Sequence, residues 1–387
     1  MGRLCMKPVY LDYAATTPVA PEVAAEMARY LTLDGIFANP ASRSHGLGWQ
    51  AESAVEDARR DVAELLGADP REIIFTSGAT EADNLALKGV VEAADCVQPH
   101  IITSGYEHKA VLDSCRYLEG KGCRVTYVQP DATGCVDPAR ITAAICDQTV
   151  VISLMHVNNE LGTINDIETV GQVARERRIP FHVDAAQSVG KLAIDLKNLP
   201  VDLLSVSAHK FYGPKGIGAL YVRRSPYVKV AAQIHGGGHE RGMRSGTLPT
   251  HQLVGMGQAA RLAGERMAAD HVHITELQAS LWAGLHDLPG AILNGSGQRL
   301  PGITNVSFPG IDGETLLMSL AEIAVSSGSA CNSATVEPSY VLKALGVPRD
   351  VAQSALRVSM GRYTTHADIS IAVACIRNAV MKLHKGG

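Results

Sequence analysis

The sequence has no excess of charge of either sign. It carries 35 Lys and Arg against 39 Asp and Glu, a formal net charge of -4 over 387 residues. Nucleic-acid-binding proteins present a basic face, so this balance argues against DNA or RNA as a direct partner. No apolar run approaches the roughly 20 residues that span a bilayer, and the N-terminus lacks an apolar signal core. We therefore expect a cytoplasmic protein that makes no membrane contact.

The usual metal and nucleotide motifs are also missing. None of the 8 cysteines forms a Cys-x-x-Cys pair, and no histidine cluster has zinc spacing, so no metal site is expected. There is no Gly-x-x-x-x-Gly-Lys-Ser/Thr loop, and the glycines of residues 213–218 lack the dinucleotide spacing. A disulfide framework is not expected in a chain with an ample core. Most thiols lie among apolar neighbours, where cysteine packs as a small hydrophobe; Cys331 is the exception.

Helical and strand patterns alternate from about residue 50 to residue 223. Short apolar strands are predicted at 72–76, 100–103, 124–128, 149–156, 180–184 and 202–207. Such strands, separated by helices, favour an α/β fold with a mainly parallel sheet covered on both faces. Because the chain is too long for one simple core, we predict two domains. The larger comprises residues 16–265, and a smaller α+β domain comprises residues 1–15 and 266–387.

Two polar residues lie at the ends of successive predicted strands. Asp184 ends one strand, and Lys210 follows the next, framed by Ser207, His209 and Gly213. Taken singly, the acid would be a helix N-cap or a solvated carboxylate, and the lysine a surface group. Ligands of such sheets bind where strands end and helices begin. An acid and a lysine at that place suit pyridoxal phosphate (PLP), whose ring nitrogen pairs with the acid while the lysine forms a Schiff base.

A phosphate site is predicted where the strand at residues 72–76 meets the helix that follows it. In Thr76-Ser-Gly-Ala-Thr-Glu81 a strand runs into small residues and then a helix. Backbone N–H groups and the helix dipole can converge there on an anion. Many such turns bind nothing, so the conjunction with Asp184 and Lys210 is what indicates PLP.

Residues 326–335 read Ser-Ser-Gly-Ser-Ala-Cys-Asn-Ser-Ala-Thr and contain no large apolar side chain. Such a segment cannot anchor itself in a core, which predicts a mobile surface loop with Cys331 in its middle. The alternative is an incidental surface thiol, since a reactive one also needs thiolate character.

Several longer motifs occur in order from near one end of the chain to the other. In them the chain resembles the cysteine desulfurases of the IscS/NifS group, most closely the housekeeping IscS branch. The resemblance implies a homodimeric fold-type I PLP enzyme of the class-V aminotransferase superfamily, with a seven-stranded, mainly parallel sheet. The motifs are Tyr10-Leu-Asp-Tyr-Ala-Ala-Thr-Thr-Pro18, Asn39-Pro-Ala-Ser-Arg-Ser-His45, Tyr106-Glu-His-Lys109, His156-Val-Asn-Asn-Glu160, the Lys210 segment and Gly236-Gly-Gly-His-Glu-Arg-Gly242.

The resemblance also implies a role for each matching residue. Lys210 would hold PLP, Asp184 would pair with the ring nitrogen, and His108 would stack on the ring and assist proton transfer. The other implied contacts are Ala79, Thr80, Ser207 and His209 at the phosphate, Gln187 at the phenolic oxygen, Asn159 at the cofactor or the substrate carboxylate, and Thr247 at the phosphate of the other subunit.

For the substrate, the resemblance implies that Arg357 binds the carboxylate of L-cysteine. A solvated surface arginine is the alternative, with Arg362 as the nearest competitor. Cys331 would accept the sulfur as a persulfide, leaving L-alanine, and pass it to acceptors. In the family these include the iron–sulfur scaffold protein, with which Cys331 could transiently ligate a [2Fe–2S] cluster, and tRNA-thiolation carriers. Asn332 stands where a threonine is common in the family.

Three other functions are alternatives to a cysteine desulfurase. An aminotransferase would not need a cysteine on a flexible loop. A selenocysteine lyase is harder to separate, since selenium fits the same attack. A non-catalytic sulfur-relay protein is disfavoured by the presence of Lys210, Asp184 and His108.

Overall fold

The computed structural model describes residues 7–327 and 338–385. In chain order the strands of these residues are β1 Val9–Tyr10, β2 Ile73–Thr76, β3 His100–Ser104, β4 Arg124–Val128, β5 Thr149–Met155, β6 Phe181–Asp184, β7 Leu203–Ser207, β8 Gly218–Val222, β9 Ile292–Leu293, β10 Ile303–Ser307, β11 Ile323–Ala324 and β12 Ala355–Ser359. The α-helices are α1 Pro21–Ala28, α2 Gly46–Leu66, α3 Ala79–Ala93, α4 Lys109–Glu119, α5 Pro138–Ala144, α6 Ile167–Glu176, α7 Thr250–Leu285, α8 Gly313–Met318, α9 Tyr340–Ala344, α10 Arg349–Gln353 and α11 His366–Lys385.

The largest sheet has seven strands in the order β2-β8-β7-β6-β5-β3-β4. Strand β8 pairs antiparallel with β2 and with β7, whereas the other neighbours pair parallel. The predicted mainly parallel sheet is therefore confirmed. The sequence pattern did not predict β8, which begins with the weak strand formers Gly218 and Ala219.

Helices cover both faces of this sheet. Along β2, Ile73 and Phe75 pack in one core cluster with Leu66 of α2, while Ile74 packs in another with Leu85 of α3. Successive side chains of a strand point to opposite faces. A strand buried on both faces needs an apolar residue at almost every position, which explains the continuous apolar runs in the sequence.

The helices follow their sequence signals closely at some ends and less so at others. Helix α2 ends at Gly67, which adopts φ 61° and donates its N–H to Ala63 and Glu64; the predicted C-cap is confirmed. Helix α7 has 36 residues, longer than the stretch of 250–270 expected, because its helical pattern continues past the predicted domain boundary. That boundary remains a prediction. Within the described ranges, no helix has both the length and the hydropathy needed to cross a membrane.

A second apolar core lies around two smaller sheets. Strands β12, β10 and β9 form an antiparallel sheet, and β1 pairs parallel with β11. Leu281, Val306, Leu356 and Ile376 are buried in this core. Residues near the N-terminus thereby lie beside residues more than 300 positions later in the chain. This pairing carries the segment after β1 toward the edge of the large sheet.

Candidate active site

A cavity of about 770 Å³ opens at the carboxyl ends of the parallel strands. Thr247 does not line it and is exposed, and its contact with another subunit remains a prediction. Cys331 lies outside the described residues. The other ten residues predicted from the sequence all line the cavity: Ala79, Thr80, His108, Asn159, Asp184, Gln187, Ser207, His209, Lys210 and Arg357.

Lys210 ends a short 3₁₀ turn, Ala208–Lys210, that follows β7 directly. Its Nζ donates to the carbonyl oxygens of Ala14 at 2.6 Å and Ala15 at 2.8 Å. Burial, and then the positive charge of Arg357, lowers the pKa of Lys210 to about 8. A larger share of this amine is therefore unprotonated near neutral pH than for an ordinary lysine, as a nucleophile or a base requires.

Asp184 and His108 line the same cavity, and the charge of each acts on the other. Asp184 is the last residue of β6, and its Oδ1 accepts the N–H of Ala186 at 2.9 Å. Burial raises the pKa of Asp184, so the carboxylate is stabilised by a cationic partner such as a pyridinium N–H. Burial also lowers the pKa of His108, which favours its neutral ring. His108 caps α4 by accepting the N–H of Ala110 at Nδ1, which places the ring proton on Nε2.

The start of α3 forms a cradle for an anion. Gly78, at the N-cap, has φ 152° and no side chain caps the first turn. Gly78, Ala79 and Thr80 at this end of the helix line the cavity, and a helix N-terminus, with its dipole and first-turn N–H groups, suits a phosphate. A Cβ at Gly78 would lie 3.7 Å from the Ser207 hydroxyl, and a Cβ at Gly218 would lie 2.6 Å from the Gly78 backbone. Glycine at position 218 thus lets the start of β8 approach the start of α3 closely.

His209 adds a neutral polar group beside this cradle. Its Nδ1 lies 3.1 Å from the Thr16 hydroxyl. Burial, followed by the charges of Lys210 and Lys215, lowers the pKa of His209 to about 4. Near neutral pH the ring therefore offers hydrogen bonds and no charge.

Arg357 is the arginine that the fold brings into the cavity. Its Nη1 donates to the Asn159 carbonyl at 2.9 Å. Its Nε and the side-chain oxygen of Asn159 are buried and make no hydrogen bond within the described residues. Buried polar atoms without partners are costly, so they suit a polar ligand. The competitor Arg362 instead pairs with Asp270 and stacks on Tyr212, 4.2 Å from the ring centre.

The described residues on either side of positions 328–337 are hydrogen-bonded to cavity residues or to their neighbours in the chain. The Ser326 N–H donates to the Arg357 carbonyl at 3.2 Å, and the Arg357 N–H donates in return at 2.6 Å. On the other side, the Ser339 hydroxyl donates to the Glu160 carboxylate at 2.5 Å, and the Tyr340 hydroxyl donates to the Glu107 carbonyl at 2.9 Å. Ser326 lines the cavity, and Glu160 and Glu107 adjoin the cavity residues Asn159 and His108 in the chain, so both flanks of the segment that contains Cys331 start near the candidate site.

Sequence reasoning missed three polar groups of this site. Asp12 pairs with Arg357, and Lys191 donates to Gln187. Asp83 is fully buried, with His182 Nε2 at 3.5 Å. Asp12 lies in the motif of residues 10–18, and Lys191 follows Gln187 by four residues. No pattern along the chain would have shown that Asp83 is buried behind the site.

Comparison with known proteins agrees with this geometry. Residues 9–371 match the family described as "Aminotransferase class-V". The chain is 58% identical over 377 residues to a curated protein of Pectobacterium carotovorum named "Cysteine desulfurase IscS", covering 97% of this chain and 93% of that protein. A protein of the same name from Klebsiella pneumoniae is 57% identical over 379 residues, covering 98% and 94%.

Two solved structures have the same fold and substantial identity. One, named "NIFS-LIKE PROTEIN", superposes with a TM-score of 0.90 at 39% identity, covering 97% of this chain and all of that one (100%). Another, titled "SspA in complex with cysteine", has a TM-score of 0.82 at 40% identity, covering 92% and 100%.

Proposed function

The chain belongs to the class-V aminotransferase family and, within it, to the cysteine desulfurases, and from this premise we propose that it holds PLP on Lys210 and passes the sulfur of L-cysteine to Cys331. The observation that best supports the proposal is the convergence of Lys210, Asp184, His108 and Arg357 on one cavity. These side chains come from four separate parts of the sequence, and each suits a different part of a PLP-bound amino acid.

The residues of the cavity fit the cofactor group by group. When bound, PLP supplies an electron sink for the substrate Cα. Asp184 would hold the ring nitrogen as a cation, since a cationic partner offsets the cost of burying the charged carboxylate. His108 would lie against the ring, and Gln187 would donate to the phenolic oxygen. The phosphate would be held by the N–H groups of Ala79 and Thr80 together with the side chains of Thr80, Ser207 and His209, and the partner subunit would add its Thr247.

Substrate binding is assigned to Arg357, with help from Asn159. A guanidinium can donate two parallel hydrogen bonds to a carboxylate, which fixes the orientation of the amino acid as well as its position. Lys210 would then act as a free base toward the bound substrate. Its lowered pKa suits it to take the Cα proton and later to return one. His108 assists this proton transfer.

Sulfur transfer is assigned to Cys331. Its thiolate attacks the substrate sulfur, so that an S–S bond forms while the Cβ–S bond breaks. The electron pair of the broken bond stays on the carbon skeleton, which is protonated and leaves as L-alanine. The persulfide on Cys331 then passes its outer sulfur to an acceptor. The hydrogen bonds of Ser326 with Arg357, and of Ser339 with Glu160, the chain neighbour of Asn159, support this role, because both flanks of the segment start near the substrate site.

A homodimer is supported by a run of exposed apolar residues. Leu31, Leu33, Phe37, Leu47 and Trp49 are each 46–84% exposed within 19 positions of one another. Large apolar side chains clustered on a surface mark association sites. A second subunit would cover them and bring its Thr247 to this cavity. We further propose that the sulfur acceptors are an iron–sulfur scaffold protein, which could bind a [2Fe–2S] cluster transiently with Cys331, and tRNA-thiolation carriers.

The test is to incubate the protein with L-cysteine and measure alanine, sulfide and the mass of the protein. We expect alanine without any added keto acid, and one extra sulfur atom localised to Cys331. Lys210→Ala should lose the visible absorbance of bound PLP, whereas Cys331→Ser should keep it and lose the persulfide. Alanine that forms only with a keto acid would indicate an aminotransferase. Sulfur transfer by Cys331→Ser would exclude Cys331 as the acceptor.

A further inference from the structure

Gln187 and Lys191 lie four residues apart in the turn that follows β6. The Lys191 N–H donates to the Ser188 carbonyl at 3.0 Å, which closes the turn. Gly190 adopts φ 75°, and a Cβ at that position would lie 2.8 Å from the Cβ of Phe211. Only glycine fits both the conformation and the space. The backbone is therefore built to return the Lys191 side chain to Gln187.

The side-chain amide of Gln187 is held at both ends. Its Nε2 donates to the Ala14 carbonyl at 2.8 Å, and its Oε1 accepts from Lys191 Nζ at 3.2 Å. A carbonyl oxygen can only accept, which assigns Nε2 to the Ala14 side, and a lysine donates whether or not it is protonated. Gln187 is buried and lines the cavity. One N–H of the amide is thus available to a ligand.

We propose that Lys191 is a positioning residue of the cofactor site, which locks the Gln187 amide so that its available N–H serves the phenolic oxygen of PLP. The inference rests on the proposed function and adds a residue to it. Without Lys191, the Ala14 carbonyl is the remaining partner of the amide within the described residues, so the amide can tilt about that bond and turn its available N–H away from a phenolate. The phenolate would then lose a donor, become more basic and hold the proton of the Schiff base at Lys210 more tightly.

The charge of Lys191 can also affect the protonation of the Schiff base at Lys210. Lys210 is the charged group that acts on Lys191 through space, and burial together with Lys210 lowers the pKa of Lys191 to about 7. His209 also feels the charge of Lys191. On its other side, Lys191 lines a small cavity with Asp270 and His271 of α7. A positive Lys191 would disfavour a protonated Schiff base directly, so an experiment must separate charge from hydrogen bonding.

A double-mutant cycle makes that separation. The readout is the pH midpoint of the visible absorbance band of PLP bound at Lys210, in the wild-type holoenzyme and in Lys191→Met, Gln187→Ala and the double variant. We expect Lys191→Met to raise the midpoint by about 0.5–1 pH unit, because coupled neighbours interact on that scale. In the Gln187→Ala background the same change should have little further effect. Lys191→Arg, which keeps a donor, should stay near the wild type.

Each outcome bears on one claim. A midpoint unchanged in Lys191→Met overturns the inference, and so does a shift that persists undiminished in the Gln187→Ala background, since charge alone would then explain it. Lys191→Ala gives a second variant if the methionine variant does not fold, as judged by thermal unfolding. A wild-type protein without a PLP band that depends on Lys210 would instead end the proposed function, independently of Lys191.

Discussion

Arg357 donates through Nη2 to the Asp12 carboxylate at 2.8 Å, across 345 positions of sequence. The arginine side chain is 7% exposed and the aspartate side chain 23% exposed. The ion pair therefore closes one side of the candidate substrate site. It also holds the planar guanidinium in a fixed orientation, with its buried Nε unpaired within the described residues.

We predict that Arg357→Lys raises the KM for L-cysteine by about 10- to 100-fold, because the loss of one charge-assisted hydrogen bond costs about 1.5–3 kcal/mol. Lysine keeps the charge but not the two parallel donors. Steady-state kinetics with alanine as the measured product tests this. Arg362→Lys is the matched control, since Arg362 pairs with Asp270 and does not line the cavity. An equal effect of the two variants would contradict the assignment of Arg357.

The site residues divide into those that a sequence shows and those that it hides. Asp184 and Lys210 follow apolar strands, and parallel strands end at the same edge of a sheet, so their meeting could be predicted from periodicity alone. The small residues from Gly78 to Thr80 mark a strand-to-helix turn in the same way. Each of these signals is local in the chain, and the rule that joins them is general.

The contacts that were missed depend on distant parts of the chain. The Asp12–Arg357 pair needs the β1–β11 pairing and the bridge between Asp12 and Ser359, and no periodicity specifies such a register. The burial of Asp83 depends on how α3 packs on β6 and β7, which is a property of the assembled core. Strand β8 lacks a strong strand pattern and is specified by its two neighbours. Tertiary packing decided these features, and local propensity did not.

We predict that uptake of PLP by the apoprotein speeds up as the pH rises, with a midpoint near pH 8, and levels off at higher pH. The lysine must be unprotonated to attack the aldehyde, and the pKa of Lys210 is lowered to about 8 from an ordinary value of 10.5. The rate at which the visible band appears, measured across pH, gives the midpoint. Arg357→Met should move it upward, because it removes a positive neighbour. A midpoint near 10.5 in the wild type would contradict the burial of Lys210 as the cause.

We predict that the stability of Asp83→Asn relative to the wild type increases as the pH rises from 5 to 8. Burial raises the pKa of Asp83 from 3.8 to about 7, while the pKa of its neighbour His182 is lowered to about 4. The folded state therefore binds the proton more tightly than the unfolded state. The stability that Asp83 contributes is complete below about pH 4 and is lost progressively up to about pH 7, an effect on the order of a few kcal/mol. Asparagine is neutral throughout and escapes this loss.

The measurement is the thermal unfolding midpoint of both proteins from pH 5 to pH 8. The difference between variant and wild type should shift in favour of the variant as the pH rises. Asp113→Asn provides the control, since the Asp113 carboxyl is exposed beside Arg116, and its difference should stay nearly constant. Destabilisation by Asp83→Asn at every pH would instead mean that Asp83 is ionised and paired with a protonated His182.

The buried ion pair between Arg59 and Glu240 leads to a prediction about stability. Both guanidinium Nη atoms donate to the carboxylate at 2.8 Å, and the side chains are 4% and 1% exposed. Glu240 also accepts the Phe75 N–H at 2.7 Å, although its own φ is 45°, a conformation that non-glycine residues rarely adopt. The pair thus fixes the turn after Gly236-Gly-Gly238 against the end of β2, just before the segment that presents Thr247.

We predict that Glu240→Gln lowers the free energy of unfolding by about 3–5 kcal/mol, because it removes the buried counterion of Arg59 and leaves it only the half-exposed Glu56, which pairs with Nε at 3.1 Å. Asp57→Asn, in the exposed pair between Asp57 and Arg60, should cost less than about 1 kcal/mol. Urea unfolding of the two variants compares a buried with an exposed ion pair formed by adjacent arginines of α2. If Glu240→Gln costs no more than Asp57→Asn, the Arg59 guanidinium must reach water in solution, and Glu240 cannot be what holds this turn against β2.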